Sequence, residues 1–380
     1  MKIDDVRWHF PISKERHFLF SGGLTPASYE TIAAIERFKD EWSHDPGGIF
    51  KKRLSEDLIA VRRSFAQIIG ADEDEVVITD CTGTGSNIAV GMIEPLPGSN
   101  VVLDEMAYPS SVYPWLLPHR SHVELRFIKR RDGALVRLED FAQAIDDRTI
   151  AVNVSHVSEL TGFRHNIKAL AQLAHKHGAL FYVDGMQAAG AVQVNVHDSD
   201  VDFYTCGAYK WLLGSAGIGF LYIARRHLNQ MPPIVGYMGV TNFDRPFSQP
   251  VAYQPKPGAE RFQVGIPNLI GLAATRPGLE MLLEVGMDQV EAHILDLSGY
   301  TIEGLSRRGL KVITPVQPEH RAGVVTTEIE DAAKVDEFLC NQNIDTFPFG
   351  KLLRIDPNIF NNRKDIDQLM FGLDTYLAQR

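Results

Sequence analysis

Four short apolar runs, separated by helical stretches, are the feature that most constrains the fold of this chain. Each run ends in a polar residue or is directly followed by one, as the fully buried strands of a parallel sheet are. The runs cover residues 75–79, 100–104, 150–154 and 179–183. Strands that alternate with helices of this length predict an α/β fold with a mostly parallel sheet sandwiched by helices.

The helical stretches between these runs have recognisable ends. Ser55 is a candidate N-cap for a helix that Gly70 would stop, because a left-handed glycine commonly ends a helix. Asn166 would cap a second helix over residues 167–177, with Gly178 just beyond its last residue. We therefore expect strands and helices to alternate between residues 55 and 225.

The pattern changes after residue 225. Residues 225–268 are rich in proline and glycine, and a loop of this length inside a compact protein is usually functional. A long helical stretch then covers 269–308. Strands near 310–314, 322–329 and 352–355 and helices near 332–341 and 365–379 predict a smaller α+β unit. The predicted domains are an N-terminal segment 1–17 that packs on the small domain, a large domain 18–268, and a linking helix with the small domain over 269–380.

Lys210 and Asp184 are the strongest indication of chemistry. A lysine in an apolar setting is paired or loses its proton, and a neutral lysine amine forms Schiff bases with carbonyl cofactors. Asp184 ends an apolar strand, where a carboxylate can pair with a pyridinium nitrogen. Together the two residues suggest pyridoxal phosphate. The alternative for Asp184 is a turn or helix-capping role.

Other polar residues that follow the predicted strands should meet at the same edge of the sheet. Residues 82–87 form a glycine-rich turn that either holds a phosphate or is simply a capped turn. Tyr108 either stacks on a cofactor ring or packs in its loop. Gln187 either bonds a cofactor oxygen or closes a turn. His156 either belongs to the site or is a hydrogen-bonded histidine of the core. Arg354, inside an apolar strand, requires a carboxylate from the protein or from a substrate.

The bulk composition excludes several classes of function. The net charge of −10 argues against non-specific binding to nucleic acid. No apolar run approaches the roughly 20 residues of a membrane span, and we expect no membrane partner. The three cysteines, Cys81, Cys206 and Cys340, have neither a disulfide framework nor a metal-binding spacing. A reducing cytoplasm is the expected compartment, and no metal site is expected.

Five ordered segments resemble the fold-type I pyridoxal-phosphate enzymes of aminotransferase class V, a family that includes cysteine desulfurases, kynureninase and isopenicillin epimerase-like proteins. The resemblance extends from about Phe18 to the C-terminus. Its segments are 183–187, 202–214, 217–222, 261–268 and 353–367.

The resemblance implies a role for each matching residue. Lys210 would hold the cofactor as a Schiff base and move protons at the substrate α-carbon. Asp184 would pair with the pyridine nitrogen, and Gln187 would touch the phenolic oxygen. Further residues that the resemblance implies are Gly83, Thr84 and Tyr209 at the phosphate, Tyr108 stacked on the ring, Arg354 at the substrate carboxylate, and Ile266, through its backbone N–H, at the phosphate of a neighbouring subunit in a homodimer with a shared site.

Three positions depart from the family pattern. Gly207 replaces a phosphate-binding serine, and Ile266 replaces a threonine. Glu159 stands where desulfurases have an asparagine; its carboxylate could pair with a cationic substrate, act as an acid or base, or form a salt bridge. The cysteine-bearing loop of desulfurases is missing before Arg354, which disfavours sulfur transfer through a protein persulfide.

These features predict an enzyme that acts through an external aldimine at the α-carbon of an amino acid or related amine. Transamination or lyase-type chemistry is expected. A C–S lyase, desulfurase-like or epimerase member is the alternative within the family. From other classes, a nucleotide-dependent oxidoreductase and a non-catalytic protein of the same fold remain open.

Overall fold

The computed structural model describes residues 1–242 and 252–379. Its strands are β1 (His17–Phe18), β2 (Val76–Thr79), β3 (Asn100–Asp104), β4 (Glu124–Ile128), β5 (Thr149–Ser155), β6 (Leu180–Asp184), β7 (Phe203–Gly207), β8 (Gly219–Ile223), β9 (Lys311–Val312), β10 (Val325–Glu328), β11 (Ile344–Asp345), β12 (Phe347–Phe349) and β13 (Leu352–Ile355). Its α-helices are α1 (Tyr29–His44), α2 (Pro46–Lys52), α3 (Leu58–Ile69), α4 (Thr82–Gly91), α5 (Pro109–Val112), α6 (Leu138–Ala144), α7 (Ile167–Lys176), α8 (Leu269–Val285), α9 (Met287–Arg307), α10 (Ala332–Cys340) and α11 (Arg363–Leu377).

A seven-stranded sheet in the order β2-β8-β7-β6-β5-β3-β4 forms the centre of the fold. Strand β8 is antiparallel to both of its neighbours, and the other pairs are parallel. The prediction of a mostly parallel sheet is therefore confirmed, and the four apolar runs correspond to β2, β3, β5 and β6. Strands β2, β3 and β7 are buried at every residue, because the chain covers both faces of the sheet.

Three predicted helix ends are confirmed and one is wrong. Gly178, with a φ of 76°, directly follows His177, the C-cap of α7. The Asn166 side chain accepts a hydrogen bond from the Ala169 N–H at the start of α7, and Gly70 ends α3 with a φ of 67°. Ser55 does not cap a helix. It lies in a π-helical turn between α2 and α3, and its hydroxyl donates to the Lys51 carbonyl oxygen at 2.9 Å. The N-cap of this helical segment is Asp45, because its side chain accepts a hydrogen bond from the Gly48 N–H at 2.9 Å. Pro46 follows at the first helical position, where its fixed φ suits the helix.

A second, antiparallel sheet in the order β12-β13-β10-β9 lies in the C-terminal third of the chain. The predicted long helix is two helices, α8 and α9, which meet at Gly286, whose φ is 91°. Strand β12 was not predicted, because Pro348 lies in its middle. Proline is tolerated there since β12 is an edge strand.

The N-terminal segment is tied to the last helix by a buried carboxylate. Asp365, in the first turn of α11, accepts hydrogen bonds from Arg7 at 2.6 Å and from His17 at 2.7 Å. Strand β1 also pairs with β11 in parallel. Within residues 1–242 and 252–379, no helix combines the length and the apolar character needed to cross a lipid bilayer.

Candidate active site

The carboxyl ends of β5, β6 and β7 border a cavity of about 150 Å³. It is lined by Asp184, Gln187, Tyr209 and Lys210 from the segments that follow β6 and β7, and by Gly83, Tyr108 and Glu159 from other loops and helix ends. A second cavity of about 330 Å³ shares four of these residues and extends to Arg354. The shared residues are Tyr108, Glu159, Tyr209 and Lys210. The structure therefore brings together most of the residues that the sequence placed at this edge.

Asp184 presents a buried carboxylate oxygen to the first cavity. Its Oδ1 accepts a hydrogen bond from the Met186 N–H at 3.0 Å. Its Oδ2 is buried and has no hydrogen-bond partner among the described residues. Burial raises the pKa of this carboxyl from 3.8 to about 6. A buried, unpaired carboxylate oxygen is costly in an empty site, and a cationic N–H donor would satisfy it.

Lys210 lines the same cavity without pairing to Asp184. Its side chain is almost fully buried, and burial lowers the pKa of its ammonium, an effect that the nearby Glu159 charge opposes. Neither Lys210 nor Asp184 forms an ion pair within the described part of the chain. The cavity thus has a lysine whose pKa is lowered by burial and, separate from it, a carboxylate with one oxygen that lacks a donor among the described residues.

The N-terminus of α4 closes one side of this cavity. Its N-cap residue, Cys81, makes no side-chain cap, so the first backbone N–H groups of the helix are available to a ligand. A Cβ added to Gly83 would meet only the Cys81 sulfur at 3.7 Å and the Ser110 hydroxyl at 4.0 Å. Thr84 does not line the cavity; its hydroxyl lies 3.6 Å from the Cys81 sulfur. Any contribution of Thr84 to an anion site would therefore come from its backbone.

Gln187 is fixed at both ends of its amide. Its Nε2 donates to the Gly22 carbonyl oxygen at 3.0 Å, and its Oε1 accepts from the Trp211 indole N–H at 2.7 Å. One amide hydrogen remains for a ligand. Gln187 therefore mainly holds Gly22 and Trp211 in place. Its remaining amide hydrogen is compatible with the predicted contact with a cofactor oxygen.

Tyr108 and His156 differ in their relation to the cavity. Tyr108 lines both cavities, is 40% exposed, and its backbone N–H donates to the Ser155 hydroxyl at 3.2 Å. His156 lines neither of them. Its backbone N–H donates to the Asp184 carbonyl oxygen at 2.8 Å, its ring lies edge-on to Tyr204, and burial lowers the pKa of the imidazole. His156 therefore matches the core alternative.

Arg354 already has a carboxylate partner within the chain. Its Nε donates to Asp356 Oδ2 at 2.9 Å, and Glu159 Oε2 lies 3.8 Å from its Nη1. The guanidinium lies beside the stacked rings of Phe20 and Phe347, at 5.3 and 5.1 Å. Its Nη2 has no hydrogen-bond acceptor among the described residues. Nη1 donates to the Glu159 backbone carbonyl oxygen at 3.4 Å. Arg354 therefore has the internal carboxylate of one alternative and, at Nη2, room for the substrate carboxylate of the other.

Ile266 lies outside both cavities and is 42% exposed.

The sequence analysis missed Asp356, Gly22, Phe20 and Met186, all of which are near the site. Asp356 directly follows β13, so the strand-end argument that selected Asp184 could have found it. Met186 receives hydrogen bonds on its sulfur from Thr82 and from the Gly207 N–H. A side chain at Gly207 would meet that sulfur at 3.1 Å, so Met186 takes the space of the serine that the resemblance led us to expect.

Comparison with known proteins places this architecture among characterised folds. The aminotransferase class-V family model matches residues 17–346. An uncharacterised aminotransferase, YcbU of Bacillus subtilis, is 25% identical over 96% of this chain and 95% of its own. A cysteine desulfurase of Salmonella newport is 28% identical over 84% of this chain and 82% of its own.

Two solved structures share the fold. The apo structure of a cysteine desulfurase from Thermococcus onnurineus covers 99% of this chain and 98% of its own, with a TM-score of 0.88 and 22% identity. A cystine C–S lyase in complex with its product, cysteine persulfide, covers 96% of this chain and 98% of its own, with a TM-score of 0.87 and 20% identity. At these identities the likeness establishes the fold.

Proposed function

The chain belongs to the aminotransferase class-V family, and from that premise we propose that it is a pyridoxal-phosphate enzyme acting at the α-carbon of an amino acid or related amine. The observation that carries the proposal is that Asp184 and Lys210 line the same cavity without contacting each other. One offers a buried oxygen without a donor, and the other is a lysine whose pKa is lowered by burial. A pyridine ring with an aldehyde satisfies both groups.

Each end of the cavity fits one part of this cofactor. Asp184 would hold the pyridine nitrogen in its protonated form, and Lys210 would bind the aldehyde carbon covalently. The free N–H groups at the start of α4, around Gly83, would receive the phosphate, with Tyr209 nearby. When bound, the cofactor supplies an electron sink that weakens the bonds of the substrate α-carbon.

The second cavity would hold the substrate. Lys210 lines it and can carry a proton to or from the α-carbon once its amine is released. Arg354 lines it as well, and its Nη2, which has no acceptor among the described residues, suits a substrate carboxylate. Tyr108, which borders both cavities, would cover the cofactor ring. An α-amino acid can therefore bridge Lys210 and Arg354, and transamination or lyase-type cleavage would follow.

Relatives named cysteine desulfurase raise the question of sulfur transfer. Cys81 lines only the first cavity, at the end proposed for the phosphate. No cysteine lines the second cavity among the described residues. If the substrate contains sulfur, we propose that the enzyme releases the sulfur product as a C–S lyase, without passing it to an enzyme thiol.

We also propose a homodimer. Ile234, Val235, Val264, Ile266 and Ile270 are exposed apolar residues. Their two segments lie against each other, since a Cβ on Gly236 would clash with the Val264 carbonyl oxygen. Exposed apolar residues gathered in this way are typical of an interface. This patch would carry Ile266 towards the phosphate end of a neighbouring subunit.

The test is borohydride reduction of the protein reconstituted with pyridoxal phosphate, followed by peptide mapping. We expect a yellow protein that bleaches on reduction and carries the label on Lys210. The Lys210→Ala variant should bind the cofactor without being labelled, and Lys176→Ala, which removes a lysine at the end of α7, should be labelled as the wild type is. A colourless protein, or a label on another lysine, would refute the proposal.

A further inference from the structure

Two carboxylates face the guanidinium of Arg354, and they differ in their freedom to move. Asp356 is fully buried, and its Oδ2 is held by Arg354 at 2.9 Å and by the Gly22 N–H at 3.1 Å. The Glu159 side chain is 35% exposed, and its carboxylate lies 3.8 Å from Nη1, which is too far for a hydrogen bond. No described group donates a hydrogen bond to that carboxylate. Glu159 is therefore the partner that a ligand can displace.

Asp356 occupies Nε, and Nη1 donates to the Glu159 backbone carbonyl oxygen at 3.4 Å. A substrate carboxylate that binds Nη2 and Nη1 end-on therefore takes the edge of Arg354 that the Glu159 carboxylate now faces. The arrival of this second anion leaves the Glu159 carboxylate without its cation. Water screens it only in part, because the side chain borders a cavity and is about one-third exposed. The substrate complex consequently contains an uncompensated negative charge next to the substrate.

The walls of the second cavity offer no other group to neutralise this charge. Lys210 and Arg354 are its only cations among the described residues. Lys210 would serve the cofactor and proton transfer at the α-carbon, and Arg354 would hold the substrate carboxylate. Within residues 1–242 and 252–379, Glu159 is the only acid that lines this cavity. Most of the remaining lining is apolar and would contact a hydrocarbon stem: Phe20, Leu160, Phe347, Phe349 and Leu352.

We propose that Glu159 determines substrate specificity by charge. It favours amino acids whose side chain carries a cationic group on an apolar stem, and it disfavours amino acids with an acidic side chain. This inference rests on the proposed function, because it requires the α-carbon of the substrate to lie at Lys210 and its carboxylate at Arg354.

Binding of two matched pairs of amino acids to the holoenzyme tests the inference. L-Arginine and L-citrulline have nearly the same shape and differ by one positive charge; L-glutamate and L-glutamine differ by one negative charge. Dissociation constants would be measured from the change in cofactor absorbance, which does not require turnover. We expect the wild-type enzyme to bind arginine about tenfold more tightly than citrulline, and glutamine about tenfold more tightly than glutamate.

The Glu159→Gln variant keeps the shape of the side chain and removes its charge. Both ratios should fall to within about threefold of unity in this variant. Glu139→Gln, which removes an acid bordering a different cavity, should keep the wild-type ratios. Equal ratios in wild type and Glu159→Gln would overturn the inference while leaving the cofactor assignment intact. A chain that binds no pyridoxal phosphate would overturn the proposed function and this inference with it.

Discussion

The backbone N–H of Gly22 donates a hydrogen bond of 3.1 Å to Oδ2 of Asp356, the same oxygen that accepts one from Arg354 Nε. Asp356 is fully buried, and burial raises the pKa of its carboxyl although Arg354 opposes the effect. The N–H of Gly22 and the guanidinium together hold one oxygen in place. The orientation of Arg354 in the substrate cavity therefore depends on a glycine in the N-terminal part of the chain.

Gly22→Ala should weaken substrate binding more than it slows turnover. The new Cβ would lie 2.5 Å from Asp356 Oδ2, so the carboxylate must move and the guanidinium with it. We expect the KM for an amino acid to rise about tenfold or more, with kcat changing by less than about threefold. Steady-state kinetics would measure both constants.

Gly47→Ala is the matched control for this variant. Nothing lies within 4 Å of a Cβ at that position, and its kinetics should equal those of the wild type. An unchanged KM in Gly22→Ala would show that Asp356 does not position Arg354 for the substrate.

Asp184→Asn should stabilise the cofactor-free protein at neutral pH while impairing its function. The carboxyl has a pKa of about 6 in the folded chain against 3.8 ordinarily. As the pH rises between these two values, the Asp184 carboxyl loses its proton in the unfolded chain before it does so in the folded chain. The free energy of unfolding therefore falls, by at most about 3 kcal/mol. Asparagine does not titrate, and an unsatisfied amide N–H would offset part of the gain.

Urea unfolding of the cofactor-free proteins would measure this difference. We expect the variant to be about 1–3 kcal/mol more stable than the wild type near pH 8, and the advantage to disappear below about pH 4. A wild type that is the more stable protein near pH 8 would contradict the assignment of an unpaired, buried carboxylate. The same variant should bind pyridoxal phosphate more weakly.

The sequence predicted those parts of the site that follow from local patterns. Strands buried on both faces are continuous apolar runs, and in an α/β sheet the residues after them meet at one edge. Asp184, Lys210 and Tyr108 could be placed in this way. The fold class followed from the same alternation of strands and helices.

Contacts between distant segments could not be predicted from these patterns. Gly22 and Asp356 lie 334 residues apart, and Arg354 and Glu159 lie 195 apart. No local periodicity reports on such a pair. From the sequence, Gln187 could bond a cofactor oxygen or close a turn. The hydrogen bond from the Trp211 indole N–H to the Gln187 side-chain oxygen is seen only in the structure.

Alkylation of Cys81 should report on occupancy of the cofactor cavity. Cys81 is exposed and lines that cavity at the start of α4, where the phosphate is proposed to bind. We expect it to react with iodoacetamide in the cofactor-free protein and to be protected about tenfold or more by bound pyridoxal phosphate. Mass spectrometry of the cysteine-containing peptides would measure both rates.

Cys340 is an internal control in the same sample, because it is exposed and lies at the end of α10, outside both cavities. Its rate should not change with the cofactor, and buried Cys206 should stay unmodified in the folded protein. Equal rates at Cys81 with and without cofactor would place the phosphate elsewhere.

Ile266→Asp should disrupt the proposed dimer and, through it, the binding of the cofactor. Ile266 is 42% exposed within a patch of apolar residues, and a buried aspartate without a partner costs several kcal/mol at an interface. Light scattering should give a mass of two chains for the wild type and one for the variant, and the variant should bind pyridoxal phosphate about tenfold or more weakly. Phe371→Asp replaces an exposed aromatic residue on α11 and should remain dimeric. A wild type that is monomeric and fully active would exclude a shared site. Ile266 lies outside the cavities of its own chain, so it could reach a phosphate only in a neighbouring subunit.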